Sequence, residues 1–497
     1  MSEATLVATL KKPPSFDGCD LTAVREADWL EVRADLVGWI DPAWLRNAFR
    51  GLLLFTLRSK SEGGAFAGSD SERRELLLRA SRGYDLIDLE ASRDLHPELL
   101  SAIPPRQRLI STHEMAPHNL EASFARLSSI DARFYKLVSH CSSAGDGLAP
   151  LRLLRSLKRS DVIAYGSGQA GLWSRLIAPR LGAPVVFGLA EHANNGEPTL
   201  ARMIEDYGLP KLGPLDEMYG IVGNPVSQSL SPRLHNAAYR AVSRRALFLP
   251  FQVESFGDFW RDFEMGKAFE PFGVAAKGLT VVSPHKETAL AAAGATSAMV
   301  RQAGSTNIFI RNNGHWEADT TDPQGVALAL RHRGIRTRSA RAAVVGCGGA
   351  GRAVAAALTQ EGAKVLMVNR GLERGRRAVE LLHLPFQQLS TFTAAGFDIV
   401  VNATPVGRDG RDTPFEIDGL ASGAVVIDLA YGPSPTPLTL RARARGLITI
   451  DGREVLLIQV AQQFRLMTGC EMPEGLAREV LGSNAMPAAP GVAGQRR

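Results

Sequence analysis

The sequence predicts an α/β protein: a (β/α)8 barrel, then a second region of alternating strands and helices ending in a Rossmann-like domain. Three observations predict this. Short apolar, β-branched runs recur eight times before residue 190, with amphipathic stretches between several of them. A Gly/Pro-rich segment at 207–214 breaks that pattern, and a new strand starts just after it. Further on, Ala342-Ala-Val-Val runs into Gly346-x-Gly348-x-x-Gly351 and then into a helical stretch. At 497 residues the chain needs two or three domains.

The eight runs are residues 5–10, 29–35, 52–59, 86–91, 108–113, 134–140, 162–166 and 185–189, and stretches such as 71–82, 120–129 and 148–159 supply helices between them. Such a barrel carries its chemistry at the carboxyl ends of its strands, and polar residues fall there: Glu31, Arg33, Arg58, His113 and Lys136. Glu31 and Arg33 are two apart and so share one face of a strand. Lys136 lies in the apolar run Arg133-Phe-Tyr-Lys-Leu-Val138, where a bare ammonium is costly to bury. A lone strand lysine most often snorkels or is salt-bridged, and only the residues around Lys136 set it apart.

Glu31-Val-Arg33, Arg58-Ser-x-x-Glu62-Gly-Gly, Ser-Thr-His113, Tyr-Lys136 and Leu-Trp-Ser-Arg175-Leu are similar, in order and spacing, to the motifs of type I 3-dehydroquinate dehydratases. The resemblance covers about residues 5–205 and places that unit within residues 1–210. It implies that Lys136 forms a Schiff base with the substrate ketone. It implies that His113 removes the adjacent C2 proton and helps the C1 hydroxyl leave, with Glu62 orienting and tuning His113. Glu31, Arg33 and Arg58 match substrate-binding positions, and Arg175 matches the carboxylate clamp. The chemistry agrees: imine formation needs a neutral amine, which an enclosed apolar site near arginines favours. Histidine serves as both base and acid, and an arginine fork binds both oxygens of a carboxylate. The lid departs from the family, with Asn194-Asn-Gly-Glu197-Pro where Ser-x-Pro-Gly-Gln is usual. Asn194 takes the serine's place as a substrate contact, and Glu197 brings a negative charge near an anionic substrate.

The second half opens with a strand at 218–223 and alternates strands and helices to about residue 320. Gly346, Gly348, Gly349, Ala350 and Gly351 join a strand to a helix at 352–361, which turns loop amides toward a pyrophosphate. The next strand, 364–368, ends in Asn369-Arg370. A carboxylate there takes the ribose hydroxyl of NAD, whereas an arginine suits the extra phosphate of NADP. Arg374, Arg376 and Arg377 come next and read mainly as a solvated helix face.

Upstream, Lys286 closes Thr280-Val-Val-Ser-Pro-His-Lys, after Gly223-Asn-Pro and Ser227-Gln-Ser229-Leu-Ser231-Pro. With Gly-Ser-Thr-Asn307, Asp-Thr-Thr-Asp322, Asn402-Ala-Thr404-Pro-x-Gly407, Asp428-Leu-Ala-Tyr431 and Gln459, these resemble shikimate dehydrogenases over about residues 217–482. The implied architecture is a shikimate-binding domain at 217–322, completed by about 453–482, and a Rossmann-like NADP-binding domain at 323–452. Ser229 and Ser231 are implied to bind the substrate carboxylate, and Asn307, Tyr431 and Gln459 its hydroxyls and ring. Lys286 and Asp322 would be the catalytic pair, and Asn402, Thr404 and Gly452 would line the nicotinamide side. The serines before Pro232 also suit a helix cap. Val282 replaces a usual hydroxyl, and Thr320-Thr-Asp-Pro323 replaces Asn-Thr-Asp-Gly.

Composition excludes other classes. A net charge of +6 is too small to argue for nucleic acid, and no run of 18 apolar residues suggests a membrane span. Four scattered cysteines give no metal site or disulfide framework and suit a reducing cytoplasm. The Ala/Pro/Gly-rich residues 483–497 read as a disordered tail. The two resemblances together imply a bifunctional lyase and oxidoreductase of small molecules, using NADP(H) in aromatic amino acid biosynthesis. It would convert 3-dehydroquinate to 3-dehydroshikimate and then reduce that to shikimate. The alternatives are an NAD-dependent quinate/shikimate dehydrogenase fusion, against which Arg370 speaks, and a pathway regulator with a weakened dehydratase half.

Overall fold

The computed structural model describes residues 3–13, 24–114, 119–191, 197–432 and 434–481. Asn194 and the tail from 483 lie outside the described residues. The chain divides into two compact units, residues 1–276 and 277–497. No helix among the described residues is long and apolar enough to cross a membrane.

Eight parallel strands dominate the first unit: β1 Thr5–Leu10, β2 Trp29–Arg33, β3 Leu52–Thr56, β4 Leu86–Glu90, β5 Arg108–Glu114, β6 Phe134–His140, β7 Val162–Ser167 and β8 Val185–Leu189. Their order is β7-β6-β5-β4-β3-β2-β1-β8. Tyr165 on β7 and Phe187 on β8 bring their rings to 6.4 Å, so side chains from the two ends of that order meet in one core. Strand periodicity of two explains the interior. Val7, Trp29, Leu54, Leu86, Leu109, Ile163 and Val185 form the apolar floor. Two residues further on, the same inward register carries Thr9, Glu31, Thr56, Asp88, Ser111, Tyr165 and Phe187. The barrel is therefore apolar at its base and polar at the carboxyl ends of several strands, as such barrels are.

The predicted strand at 29–35 ends early. Arg33 and Asp35 pair through two hydrogen bonds of 2.8 and 2.7 Å, and the backbone turns into the short helix Ala34–Val37. The three amphipathic stretches form helices Asp70–Ala80, Leu120–Leu127 and Leu148–Leu157. The first of these opens with a reciprocal cap between Ser69 and Glu72. After the barrel, β9 (Glu217–Gly223) and β10 (Ala246–Gln252) pair in parallel around the helix Ser231–Ala241.

β11 (Ala275–Val281) runs across the boundary, and the second unit continues with β12 (Ala295–Thr296) and the hairpin of β13 (Ile308–Asn312) and β14 (His315–Asp319). Its turn is Asn313-Gly314, with φ of 48° and 84°, the primed geometry that fits strand twist. Then come β15 (Arg341–Val345), β16 (Lys364–Asn369), β17 (Phe386–Gln388), β18 (Ile399–Asn402), β19 (Val425–Asp428) and β20 (Ile448–Ile450). They form one parallel sheet in the order β17-β16-β15-β18-β19-β20, which is the doubly wound order of dinucleotide-binding folds.

Candidate active sites

A cavity of about 280 Å³ at the carboxyl ends of the barrel strands is lined by Glu31, Arg33, Arg58, Glu62, His113, Lys136 and Arg175, among others. Residues dispersed over 145 positions of sequence thus share one chamber, because each sits near the carboxyl end of its strand, on the turn just after it or, for Arg175, on the helix Gly168–Ile177 that follows β7. Lys136 is buried on β6, its Nζ 3.8 Å from Glu31 Oε1 and 3.7 Å from the centre of the Phe187 ring. Burial raises the Glu31 pKa, but the Lys136 and Arg33 charges and hydrogen bonds from Thr9 and Thr56 outweigh it and hold the carboxyl at about 2. Glu31 is thereby the fixed anion facing the lysine.

Glu62 Oε2 accepts from the His113 backbone N–H at 3.1 Å and lies 3.2 Å from His113 Nδ1. Burial first, then the positive charges of Arg58, Lys136, Arg33 and Arg175, hold the His113 pKa well below its usual value. This imidazole is therefore neutral and able to accept a proton at neutral pH. Burial pushes Glu62 up to about 7 despite the opposing charge of Arg58, with Glu90 and Asp88 adding repulsion.

The three arginines differ. Arg58 is spent inside the protein: its guanidinium donates to Glu62, Glu90, Ser111 and Asp88 at 2.6–3.2 Å. Arg33 is committed to Asp35. Arg175 lies over the Tyr165 ring at 4.6 Å, and its Nη1 donates to the Phe187 carbonyl at 3.4 Å. Its buried Nε has no hydrogen-bond partner among the described residues. Of the three, Arg175 alone keeps a buried donor available for a substrate anion.

Thr9, Lys11, Asp35, Thr56, Asp88 and Glu90 were not singled out in the sequence. Asp88 and Glu90 repeat the two-residue spacing of Glu31 and Arg33 at a strand end, which is the signal that could have found them. Lys11 matters most. It forms an ion pair with Glu197, so the negative charge that the lid brings to the cavity has its own cation. His140 also lines the cavity.

In the second unit, Asp322 gathers the predicted residues. Its Oδ2 accepts from Lys286 Nζ at 2.6 Å, and its Oδ1 accepts from Asn307 Nδ2 and Gln459 Nε2, both at 3.0 Å. Gln459 and Gln463 are four apart on the helix Gly452–Thr468 and face the same way, and Gln463 bonds Thr321 and Thr280. Asp322 starts the helix Asp322–His332, where its charge meets the positive end of the helix dipole. Pro323, a departure from the family pattern, lies in that first turn, where a missing N–H costs nothing.

The glycine loop is built for close approach. Gly346 has a φ of +113°, and a Cβ on Gly351 would stand 1.8 Å from the Gly346 carbonyl oxygen, so neither position accepts a side chain. A Cβ on Gly348 would meet nothing within 4 Å, which leaves that face of the loop open. Gly349, at the start of the helix Gly349–Gln360 with Ala350 and Gly351, would bring a Cβ within 3.3 Å of Lys286 Cβ. The loop and the lysine are therefore neighbours. Asn369 accepts from the Cys347 N–H at 3.2 Å, and Arg370 is exposed with no ion pair or hydrogen bond among the described residues. An open glycine loop, a helix N-terminus and an uncommitted arginine together fit a dinucleotide bearing an extra phosphate.

Asn402 is fully buried and bonds Asp428, the Val406 carbonyl and Thr404, so its side chain shapes the loop that presents Thr404. Tyr431 and Gly452 line a larger cavity of about 580 Å³ with Arg333, Arg443 and Arg453, but Lys286 and Asp322 do not line it. Cavity size is no guide to the chemistry here. Ser229 and Ser231 belong to the first unit, buried at the start of the helix Ser231–Ala241. Ser229 Oγ accepts from the Ser231 N–H at 3.2 Å, a cap-like bond that leaves its own hydrogen free to donate.

Comparison with known proteins adds to this geometry. Residues 18–213 match the type I 3-dehydroquinase family, and residues 221–309 match the shikimate dehydrogenase substrate binding domain. The chain is 27% identical to the chloroplastic bifunctional 3-dehydroquinate dehydratase/shikimate dehydrogenase of Arabidopsis thaliana, over 94% of this chain and 83% of that protein. Shikimate dehydrogenase (NADP(+)) of Thermococcus kodakarensis is 34% identical, over 52% of this chain and 94% of that protein. The crystal structure of Thermus thermophilus shikimate 5-dehydrogenase with NADP(H) and shikimate aligns over 53% of this chain and 97% of its own, with 29% identity and a TM-score of 0.47.

Proposed function

The chain belongs through its second half to the shikimate dehydrogenase family, with a type I 3-dehydroquinase ahead of it, and on that basis we propose two consecutive activities: dehydration of 3-dehydroquinate to 3-dehydroshikimate and NADPH-dependent reduction of the product to shikimate. The observation that carries this is a pair of separate lysine centres, Lys136 among His113, Glu62 and Arg175, and Lys286 on Asp322. The functional boundaries proposed are residues 1–210, 217–322 completed by 453–482, and 323–452. The packing boundary falls at 276/277 instead, because residues 217–276 pack on the barrel. Three of the four cysteines are described, none of them paired, which supports the cytoplasm as the proposed compartment.

In the first reaction Arg175 holds the substrate carboxylate. Lys136 attacks the ketone carbon and water leaves, forming the imine. Neutral His113 takes the adjacent C2 proton, with the electron pair drawn toward the protonated imine, and returns that proton as the C1 hydroxyl departs as water. A second water hydrolyses the imine and frees Lys136, so one water is lost overall. Arg58, Glu31 and Arg33 act mainly through their neighbours: Arg58 fixes Glu62, and Glu31 faces the lysine. Activity requires His113 neutral and Glu62 ionised to accept its Nδ1–H. Since Glu62 titrates near 7, kcat/KM for dehydration should rise about tenfold per pH unit below 7 and flatten above it. Glu62→Gln should remove that rise. Retention of the same midpoint in the variant would assign the titration to another group.

In the second reaction Gly346–Gly351, Asn369 and Arg370 would hold NADPH, which supplies the hydride when bound. Ser229 and Ser231 take the substrate carboxylate, and Asn307, Gln459 and Tyr431 its ring hydroxyls. Lys286 passes a proton to the reacting oxygen, and Asp322 keeps the ammonium aimed. Reduction of 3-dehydroshikimate measured with NADPH and NADH tests the cofactor reading. Arg370→Ala should weaken NADPH by roughly 10- to 150-fold while NADH changes little. An equal loss with both nucleotides would give Arg370 a structural role.

A further inference from the structure

We propose that Arg202, on the last helix of the barrel, is a positioning residue for the substrate of the dehydrogenase, so that the first catalytic half holds part of the second site in place. This rests on the reading that Ser229 and Ser231 bind that substrate's carboxylate. The helix Leu200–Tyr207 ends the barrel. From it, Arg202 reaches the turn that carries the serines: one Nη donates to the Ser227 carbonyl, and the other donates to the Ser229 carbonyl at 3.4 Å. Within the turn, the Ser229 N–H is taken by the Val226 carbonyl and Ser229 Oγ by the Ser231 N–H. The two carbonyls thus face outward from a folded loop, and one planar fork takes both. Rotating the turn to present the serines differently would break these bonds together.

The fork itself is fixed. Arg202 Nε donates to Asp206 Oδ2 at 2.8 Å, and Asp206 keeps only 2% of its side-chain exposure. The other oxygen of Asp206 accepts from Arg233 Nε at 2.6 Å, on the same helix that Ser231 begins. The Asp206 carbonyl accepts from Asn236 Nδ2, which also donates to the Phe248 carbonyl, and the Phe248 N–H returns a bond to Asn236 Oδ1. One buried carboxylate therefore braces Arg202 and the serine helix at once, and that helix is tied to β10. Elsewhere on the same seam the contact is a true core. Trp173, on the barrel helix Gly168–Ile177, is fully buried with its ring 5.4–5.6 Å from Phe251, Phe263 and Phe269.

Steady-state kinetics of the full chain carrying Arg202→Met, Arg202→Lys or Ser229→Ala tests this. Arg202→Met should raise KM for 3-dehydroshikimate about tenfold with kcat within about twofold, and leave KM for NADPH and the dehydratase reaction unchanged. Arg202→Lys keeps a cation beside Asp206 but loses the fork, and should raise KM about threefold; it decides the question if Arg202→Met is unstable. Ser229→Ala should raise the same KM. An unchanged KM in the arginine variants beside a raised KM in Ser229→Ala overturns the proposal alone. An unchanged KM in Ser229→Ala overturns the serine reading, and the proposal with it. Parallel loss of both activities in Arg202→Lys assigns Arg202 to stability and overturns the positioning role.

Discussion

Lys136→Ala is expected to lower dehydration of 3-dehydroquinate by at least ~10,000-fold, about 5.4 kcal/mol of transition-state stabilisation at 1.36 kcal/mol per decade. The size comes from the chemistry. Without the amine there is no imine, and so no cationic sink for the electrons released when the C2 proton is removed. His113 would then have to form a carbanion unaided, and the Arg175 clamp supplies binding but no such sink. Borohydride added to wild-type enzyme with substrate should reduce the imine and leave a mass adduct on the peptide containing Lys136. The variant should show no adduct, while its reduction of 3-dehydroshikimate should stay within about twofold of wild type, since Lys286 and Asp322 are untouched. Full dehydration by folded Lys136→Ala would rule out the covalent route.

Lys286→Ala should give the reciprocal result. Reduction of 3-dehydroshikimate should fall by about 100- to 10,000-fold, the range for removing a positioned proton donor. Dehydration should be unaffected. The variant also leaves Asp322 without its cation, but Asn307 and Gln459 still donate to that carboxylate, which limits the structural damage. Asp322→Asn should be milder, because the lysine remains and loses only the group that aims it. A parallel fall in dehydration in folded Lys286→Ala would show that the two chemistries are coupled beyond the shared seam.

Much of this was legible in the sequence because strand alternation is a local property. The runs at 5–10, 134–140 and 185–189 have the bounds of β1, β6 and β8, and an apolar run interrupted by one lysine marked β6. The roles of Lys286, Asn307, Asp322 and Gln459 came from motifs, although no local rule shows three residues meeting on the Asp322 carboxylate. What escaped is pairwise and long-range. Arg33 and Arg58 match substrate-binding positions in the resemblance, but the motifs do not show that Asp35, Asp88 and Glu90 take their donors, since such partners are chosen by the fold. Glu197 read as an uncompensated charge because Lys11, 186 residues earlier, does not announce its partner. The Gly/Pro segment at 207–214 read as a plain linker because composition cannot show that Asp206 and Trp173 hold residues on its far side, Arg233 and Phe251 among them. A cut there would expose both, so the halves are separable in chemistry but not in packing.

Both activities are tested together by a single incubation of the purified chain with 3-dehydroquinate and NADPH, with no other enzyme present. NADPH should be oxidised in step with shikimate formed, one for one, and omission of NADPH should stop the reaction at 3-dehydroshikimate. Untouched 3-dehydroquinate, in a sample that still reduces added 3-dehydroshikimate, would contradict the barrel assignment. Accumulated 3-dehydroshikimate beside unconsumed NADPH would contradict the assignment of the second half.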